Sequence, residues 1–417
     1  MPWSNRRRGA STGAMDGESF VWRRLPRIEP NKNLKISLEL LSYIGNWPPE
    51  GKARKLYYVY SFLYFTLVIS LYLLVQMAFI VSVWGDVERT IAGSFLLMTN
   101  TGNAYKMIVV LTRQRRIRKL VKLVAGEMFS GDNERHERVV SRYTWLGIFH
   151  HATYQSLGAV SIACWALGSV VDILKAGVRR LPVESSYPYD VAVSPNFEIT
   201  CAQQILGQMI LCLHNIALDT LVTNFLNVAC CQLEILRLNV QAIGHDGPAD
   251  RASSGDNERA RKQLNACVEH NKAIISFKKE IQEIFGTSIL FQCFVNCAII
   301  CLAAFHITQM EVFAPAEILG TGLYLCGMTY QIFIYCWHGN ELALHSERVA
   351  FAAYSGNWWK FDRRFNSTLK ILMIRSQRPL FLTAGKIMIV SLETFTSILR
   401  MSYSLFTVLQ SSTNDDD

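Results

Sequence analysis

The sequence predicts an all-α membrane protein of seven transmembrane helices, with its N-terminus in the cytoplasm and its C-terminus outside the cell. Three observations carry this. Half of the 417 residues are hydrophobic, and they gather into long blocks instead of alternating with charges. Seven blocks reach the roughly 20 residues that a helix needs to cross a hydrocarbon core of about 30 Å. The 42 Lys and Arg residues fall almost entirely in every second segment between those blocks.

In chain order, residues 1–55 are polar and basic, with no early apolar run before a small-residue cleavage site. They read as a cytoplasmic N-terminus without a cleavable signal peptide. The first span is 56–83. The second, 91–111, is the weakest, because Asn100, Asn103 and Lys106 interrupt it. The third is 143–171 and the fourth 199–230. A long cytoplasmic loop, 231–283, follows, and its stretch 244–257 (GHDGPADRASSGDN) reads as flexible. The fifth span is 284–305 and the sixth 317–339, so 56–339 holds six spans. Residues 340–385 return to the cytoplasm, 386–410 form the seventh span, and 411–417 are an extracellular tail. The N-terminus and the second, fourth and sixth loops hold 35 Lys and Arg, against 4 in the other loops and the tail. Because cytoplasmic segments are the basic ones, this sets the orientation. It is the reverse of that of G-protein-coupled receptors.

The sequence has no Walker loop, no HExxH and no GxSxG, so no enzyme chemistry, metal or cofactor is expected. His150 and His151 are adjacent, so their side chains point about 100° apart on a helix and chelate poorly. The net charge of +9 fits the inner leaflet and does not imply nucleic acid. Eleven cysteines suggest no disulfide framework. Cys293, Cys297 and Cys301 share one helix face as small packing residues. Only Cys164 and Cys201 lie near the outer surface, and a bridge between them is left open. The sequon at Asn366 faces the cytoplasm on this topology and goes unused. Trp358-Trp359 with Lys360 looks interfacial. Asp219 and His214 lie within the fourth span, where an ionisable group is a functional candidate. Buried pairing between helices, or a place near the cytoplasmic end, is the weightier reading for both.

The last span poses the main question. On a helix at about 100° per residue, Glu393, Thr396, Ser397, Arg400, Ser404, Thr407 and Ser411 fall within an arc of about 100°. Phe395, Ile398, Leu399, Leu405, Phe406 and Leu409 take the opposite side. Small polar residues can serve as packing glue between membrane helices. A continuous stripe with both a Glu and an Arg favours a water-lined path, because charge facing lipid costs several kcal/mol. One such helix encloses no pore, so several subunits would each contribute one. Asp415, Asp416 and Asp417 would then ring its mouth, unless they are a solubilising tail.

The C-terminal third carries a resemblance. QIFIYCWHGNEL (331–342), SER and AAYSGNWW (346–359), LKILMIRSQRPLFLTAGK (369–386) and SLETFTSILRMSYSLFTVLQ (391–410) resemble insect odorant receptors. SYPYD (186–190) and SPNFEI (194–199) resemble that family's second extracellular loop, and LNACVEHNKAIISF (264–277) the lead into its fifth span. The resemblance implies a ligand-gated, non-selective cation channel in the plasma membrane of the olfactory neuron dendrite. Such channels are tetramers with a shared co-receptor. Their last helices line the pore, and their cytoplasmic ends form an anchor, here 340–385.

Carried onto this sequence, the pore-lining positions are Arg400, Ser404, Thr407, Val408, Ser411 and Ser412. Val408, Ser411 and Ser412 fall at the narrow outer gate. Ser411 and Ser412 depart from the bulkier apolar residues of the co-receptor type, which suits a ligand-tuning subunit. The family's odorant pocket lies in the outer half, between spans two, three, four and six. The implied lining is Phe95 and Thr99; Gly158, Ser161 and Trp165; Ile205 and Met209; and Leu323 and Tyr324. Such a pocket would bind a small volatile by shape and burial, at roughly 25 cal/mol per Å², with micromolar sensitivity. The alternatives are a receptor signalling through G proteins, which lacks its DRY and NPxxY motifs here, and a gustatory receptor, whose TYxxxxxQF motif is absent. A transporter would show paired repeats, which this chain lacks.

Overall fold

The computed structural model describes residues 28–414, except 52, 130–133, 177–178, 180, 184, 192, 245–251 and 311–314. Asp415, Asp416 and Asp417 and half of the proposed flexible loop therefore lie outside the described residues. Helix α1 (Lys32–Tyr43) precedes α2 (Arg54–Ser82), which turns π-helical over Phe65–Ser70. Helices α3 (Val87–Thr112) and α4 (Gln114–Val124) follow. Four long helices come next: α5 (Glu134–Ala176), α6 (Asn196–Ala242), α7 (Ser254–Gln309) and α8 (Pro315–Ser355). The chain ends with α9 (Arg363–Ser376), a hairpin of β1 (Thr383–Ala384) and β2 (Met388–Ile389), and α10 (Leu392–Asn414).

Helices α2, α5, α6, α7 and α8 are long and apolar enough to cross a membrane. Helices α3 and α10, of 26 and 23 residues, match in length but carry polar residues through their middles. The outward face of α2 is a band of large apolar residues. Leu56, Phe62, Leu67, Leu74 and Val81 are 62% to 74% exposed, as befits a face turned to lipid. Helix α6 is the opposite case. Every residue from His214 to Leu233 is buried, because α1, α5, α7 and α8 surround it. A helix enclosed on all sides needs no amphipathic pattern.

Side-chain caps fix several helix starts. Asp86 accepts from the Arg89 amide at 3.1 Å, and Asp362 from the Phe365 amide at 2.8 Å. Ser253 and Asp256 form a reciprocal capping box at the start of α7.

One boundary is corrected, and the N-terminal segment gains a packed element. Helix α1 buries Leu34 and Leu41 against the bundle. It is tied to α6 by Asn33 Nδ2 to Asn224 Oδ1 at 2.8 Å and by the Ser37 and Thr220 hydroxyls at 3.0 Å. The last helix begins at Leu392, not at 386. Gly385 and Lys386 take φ of 59° and 63°, and Ile387 N donates to Ala384 O at 3.1 Å. Two successive left-handed residues close a hairpin and cannot continue a helix. The turn lies against α7, where Gly385 N donates to Gly286 O at 2.9 Å, and a Cβ at 385 would sit 2.4 Å from Leu290.

Candidate functional site: a cavity beside a buried ion pair

A cavity of about 40 Å³ lies between α3, α5, α6 and α8. Larger grooves, of about 830, 700 and 660 Å³, open among loops and helix extensions elsewhere. The small cavity is the candidate site because apolar walls enclose a few converging polar groups. Its sequence origin is plain. On α5, Gly158, Ser161 and Trp165 recur at helical spacing. A Cβ at 158 would sit 2.5 Å from Cys212 Sγ, so glycine lets α5 and α6 meet here. Leu323 and Tyr324 enter from α8, and Thr99 from α3.

Hydrogen bonds hold the walls. The Thr99 and Tyr324 hydroxyls are 2.5 Å apart, and both also reach Phe95 O. Ser161 donates to Gly320 O at 2.7 Å, and Trp165 Nε1 to Thr321 Oγ1 at 3.3 Å. The loop before α6 packs against the same helices. There Gln204 grips the Val183 backbone, accepting from its amide at 3.1 Å and donating to its carbonyl at 2.9 Å. Val183 then packs in one apolar cluster with Phe95, Trp165 and Tyr324.

Beneath the cavity lies an ion pair. Lys106 Nζ is 2.6 Å from Asp219 Oδ1 and 2.5 Å from Asn215 Oδ1. Tyr335 also donates to Asp219 Oδ1, at 2.9 Å, while Gln331 and Tyr154 donate to Oδ2, Tyr154 at 3.5 Å. Gln331 Oε1 in turn accepts from Gln292 at 3.1 Å and Asn296 at 2.8 Å. Five helices thus meet around one carboxylate. A charge in the membrane is retained where it is paired, and here Lys106 neutralises Asp219. Lys106, which breaks the apolar run of the second span, is 5% exposed and faces inward. His214 is buried against Asn46 at 3.3 Å.

Of the sequence-predicted lining, Thr99, Gly158, Ser161, Trp165, Leu323 and Tyr324 surround this cavity. Phe95 stands one layer back, its ring 5.3 Å from that of Tyr324. Ile205 and Met209 do not line it, and Met209 is 44% exposed. The wall of α6 comes from Gln208, Leu211, Cys212 and Asn215 instead. One residue turns a helix by about 100°, so a register one position out points the side chain away. The polar spacing Gln204, Gln208, Asn215, Asp219 was the signal that could have fixed it.

On α10, Glu393, Thr396, Ser397, Arg400, Ser404, Thr407, Val408 and Ser411 are all exposed. Ile398 and Ser402 are buried on the opposite side, and α10 packs on α7 and α8. The Ser412 side chain lies outside the described residues. Cys164 and Cys201 are both free thiols.

Comparison with known proteins identifies the family and the fold. The family model described as 7tm Odorant receptor matches residues 86–403. Odorant receptor Or1 of Anopheles gambiae is 27% identical over 400 residues, covering 90% of this chain and 94% of that protein. Odorant receptor 13a of Drosophila melanogaster is 23% identical, covering 93% and 98%. The olfactory receptor OR5 from Machilis hrabei, solved in complex with eugenol, superposes with a TM-score of 0.78 at 17% identity. It covers 91% of this chain and 98% of its own. With the family model matched over well more than half its length, the chain belongs to the insect odorant receptors, multi-pass receptors of seven transmembrane helices.

Proposed function

We propose that this chain is the odorant-binding, tuning subunit of a ligand-gated, non-selective cation channel, formed with the shared co-receptor as a tetramer in the plasma membrane of an olfactory neuron dendrite. The observation that carries the reading is the face of α10. All seven residues of its polar stripe are exposed in the single chain, while Ile398 and Ser402 are buried. In a bilayer that face needs water or protein opposite it, since Glu393 and Arg400 against lipid cost several kcal/mol. A central pathway shared by several chains supplies water along Arg400, Ser404 and Thr407. Val408, Ser411 and Ser412 would sit at its outer gate, and 340–385 would anchor the subunits. The outer cavity would take a small volatile, since its walls are apolar and the related OR5 is described with eugenol. Burial of so small a ligand gives micromolar affinity, about 8 kcal/mol.

Whole-cell current in cells expressing the chain with and without an insect co-receptor tests this, with G-protein signalling blocked. The expected result is an odorant-evoked cation current that needs the co-receptor and survives the block. A response abolished by the block overturns the channel reading in favour of G-protein signalling.

A further inference from the structure

We infer that Gln208 is a hydrogen-bond anchor in the outer cavity, making the receptor selective for hydroxyl-bearing odorants, alcohols and phenols, over ethers of the same shape. The inference rests on the reading of that cavity as the odorant site. Gln208 is 7% exposed and lines the cavity, and its Oε1 has no hydrogen-bond partner. Other buried atoms without partners, such as Tyr72 Oη and Gln76 Nε2, do not line it.

The contrast along α6 is informative. Gln204, Gln208, Asn215 and Asp219 form one inward polar row. Gln204 grips the Val183 backbone, Asn215 bridges Lys106 and Tyr154, and Asp219 accepts four bonds. Three of the four are spent on holding the protein together, and Gln208 is not. The principal donors of the other wall side chains are meanwhile committed. Ser161 gives its proton to Gly320 O, Trp165 to Thr321, and Asn100 to Gln76, while Thr99 and Tyr324 share Phe95 O.

What the wall leaves open is the Gln208 amide. A ligand O–H satisfies its Oε1, while an ether oxygen leaves that acceptor unmet. Leaving a buried acceptor unmet costs a ligand on the order of 10- to 100-fold in affinity. The cavity of about 40 Å³ admits one small group beside Gln208, and the rest of the molecule requires the wall to yield, where Met328 has the adaptable side chain.

The test compares 1-hexanol, 2-phenylethanol and 4-ethylphenol, each with its methyl ether, on the wild-type chain and on Gln208→Met. Two readouts are used: thermal stabilisation of the purified full-length chain in detergent, and current in cells with the co-receptor. The expected result is at least one pair in which the alcohol binds about tenfold or more tightly than the ether in wild type. In Gln208→Met that difference vanishes. Unliganded Gln208→Met should melt at or above the wild-type temperature, because no internal bond is lost. Gln204→Met, which loses two, should melt lower. Equal or absent stabilisation by both members of every pair overturns the anchor, as does a lowered melting temperature for Gln208→Met. Absent current with an intact alcohol preference in the thermal readout overturns the channel reading and leaves the anchor standing.

Discussion

Asp219 accepts hydrogen bonds from Lys106, Tyr335, Gln331 and Tyr154, and neither member of its ion pair is more than 6% exposed. A buried pair adds little over an apolar replacement, yet removing one partner strands the other charge. Lys106→Met should therefore destabilise the chain by about 3–5 kcal/mol. The double variant Lys106→Met with Asp219→Asn should recover most of the loss, because the amide keeps an acceptor and no charge remains. Melting temperatures of the purified single and double variants check this, and a double as weak as the single would mean that the two charges are not coupled. Both residues stood out in the sequence as interruptions of apolar spans. Their pairing did not, because 113 positions separate them and only the packing of α3 on α6 brings them together. Gln208 was missed for a smaller reason, a helical register read one residue out at Ile205 and Met209.

At the level of the element, α10 is buried along a narrow side only. Its polar stripe from Glu393 to Ser411 is exposed, as are Met401, Tyr403 and Leu405, and Ser402, 1% exposed, lies against α7 with its hydroxyl 3.4 Å from Cys297 Sγ. If the stripe faces a water-filled path, Ser404→Cys and Thr407→Cys should react with a charged, membrane-impermeant thiol reagent and lose most of the odorant-evoked current. Ser402→Cys should not. The exposed native Cys326 calls for a Cys326→Ser background. No reaction at Ser404→Cys and Thr407→Cys would put the stripe against protein or lipid, and equal reaction at Ser402→Cys would mean that water does not distinguish the two faces. Periodicity made this face legible, since a polar arc inside an apolar segment survives any error in helix ends. The start of the helix was less legible. KIMIV (386–390) is apolar enough to extend the span, while the left-handed backbone of Gly385 and Lys386 leaves little trace in composition. Stretches that pack as short strands and stretches that pack as helix share that apolar character.

For the whole molecule, the helices outrun the membrane. Helix α7 has 56 residues, about 84 Å at 1.5 Å per residue, against a hydrocarbon core of about 30 Å. Hydropathy marks where the apolar part ends and says nothing of the helix beyond, so these extensions did not appear in the sequence reading. They carry the basic loops. Arg116, between α3 and α5, makes a two-pronged contact with Glu280, at 2.6 and 2.8 Å, and reaches Glu283 at 2.6 Å. Its guanidinium is held well into the charged range, chiefly by its hydrogen bonds to Glu280 and Glu283. The 35-to-4 bias of Lys and Arg predicts that this end of the bundle faces the cytoplasm. An epitope tag at the N-terminus should then stain only after permeabilisation, and one at the C-terminus should stain intact cells. The opposite pattern would send the basic end outward against the charge rule and place the outer cavity on the cytoplasmic side, where an airborne ligand could not reach it from outside. The same result would undo the pore reading of α10, because the gate at Val408 would open inward. Orientation is thus the one property on which cavity, gate and anchor all depend, and two tags decide it.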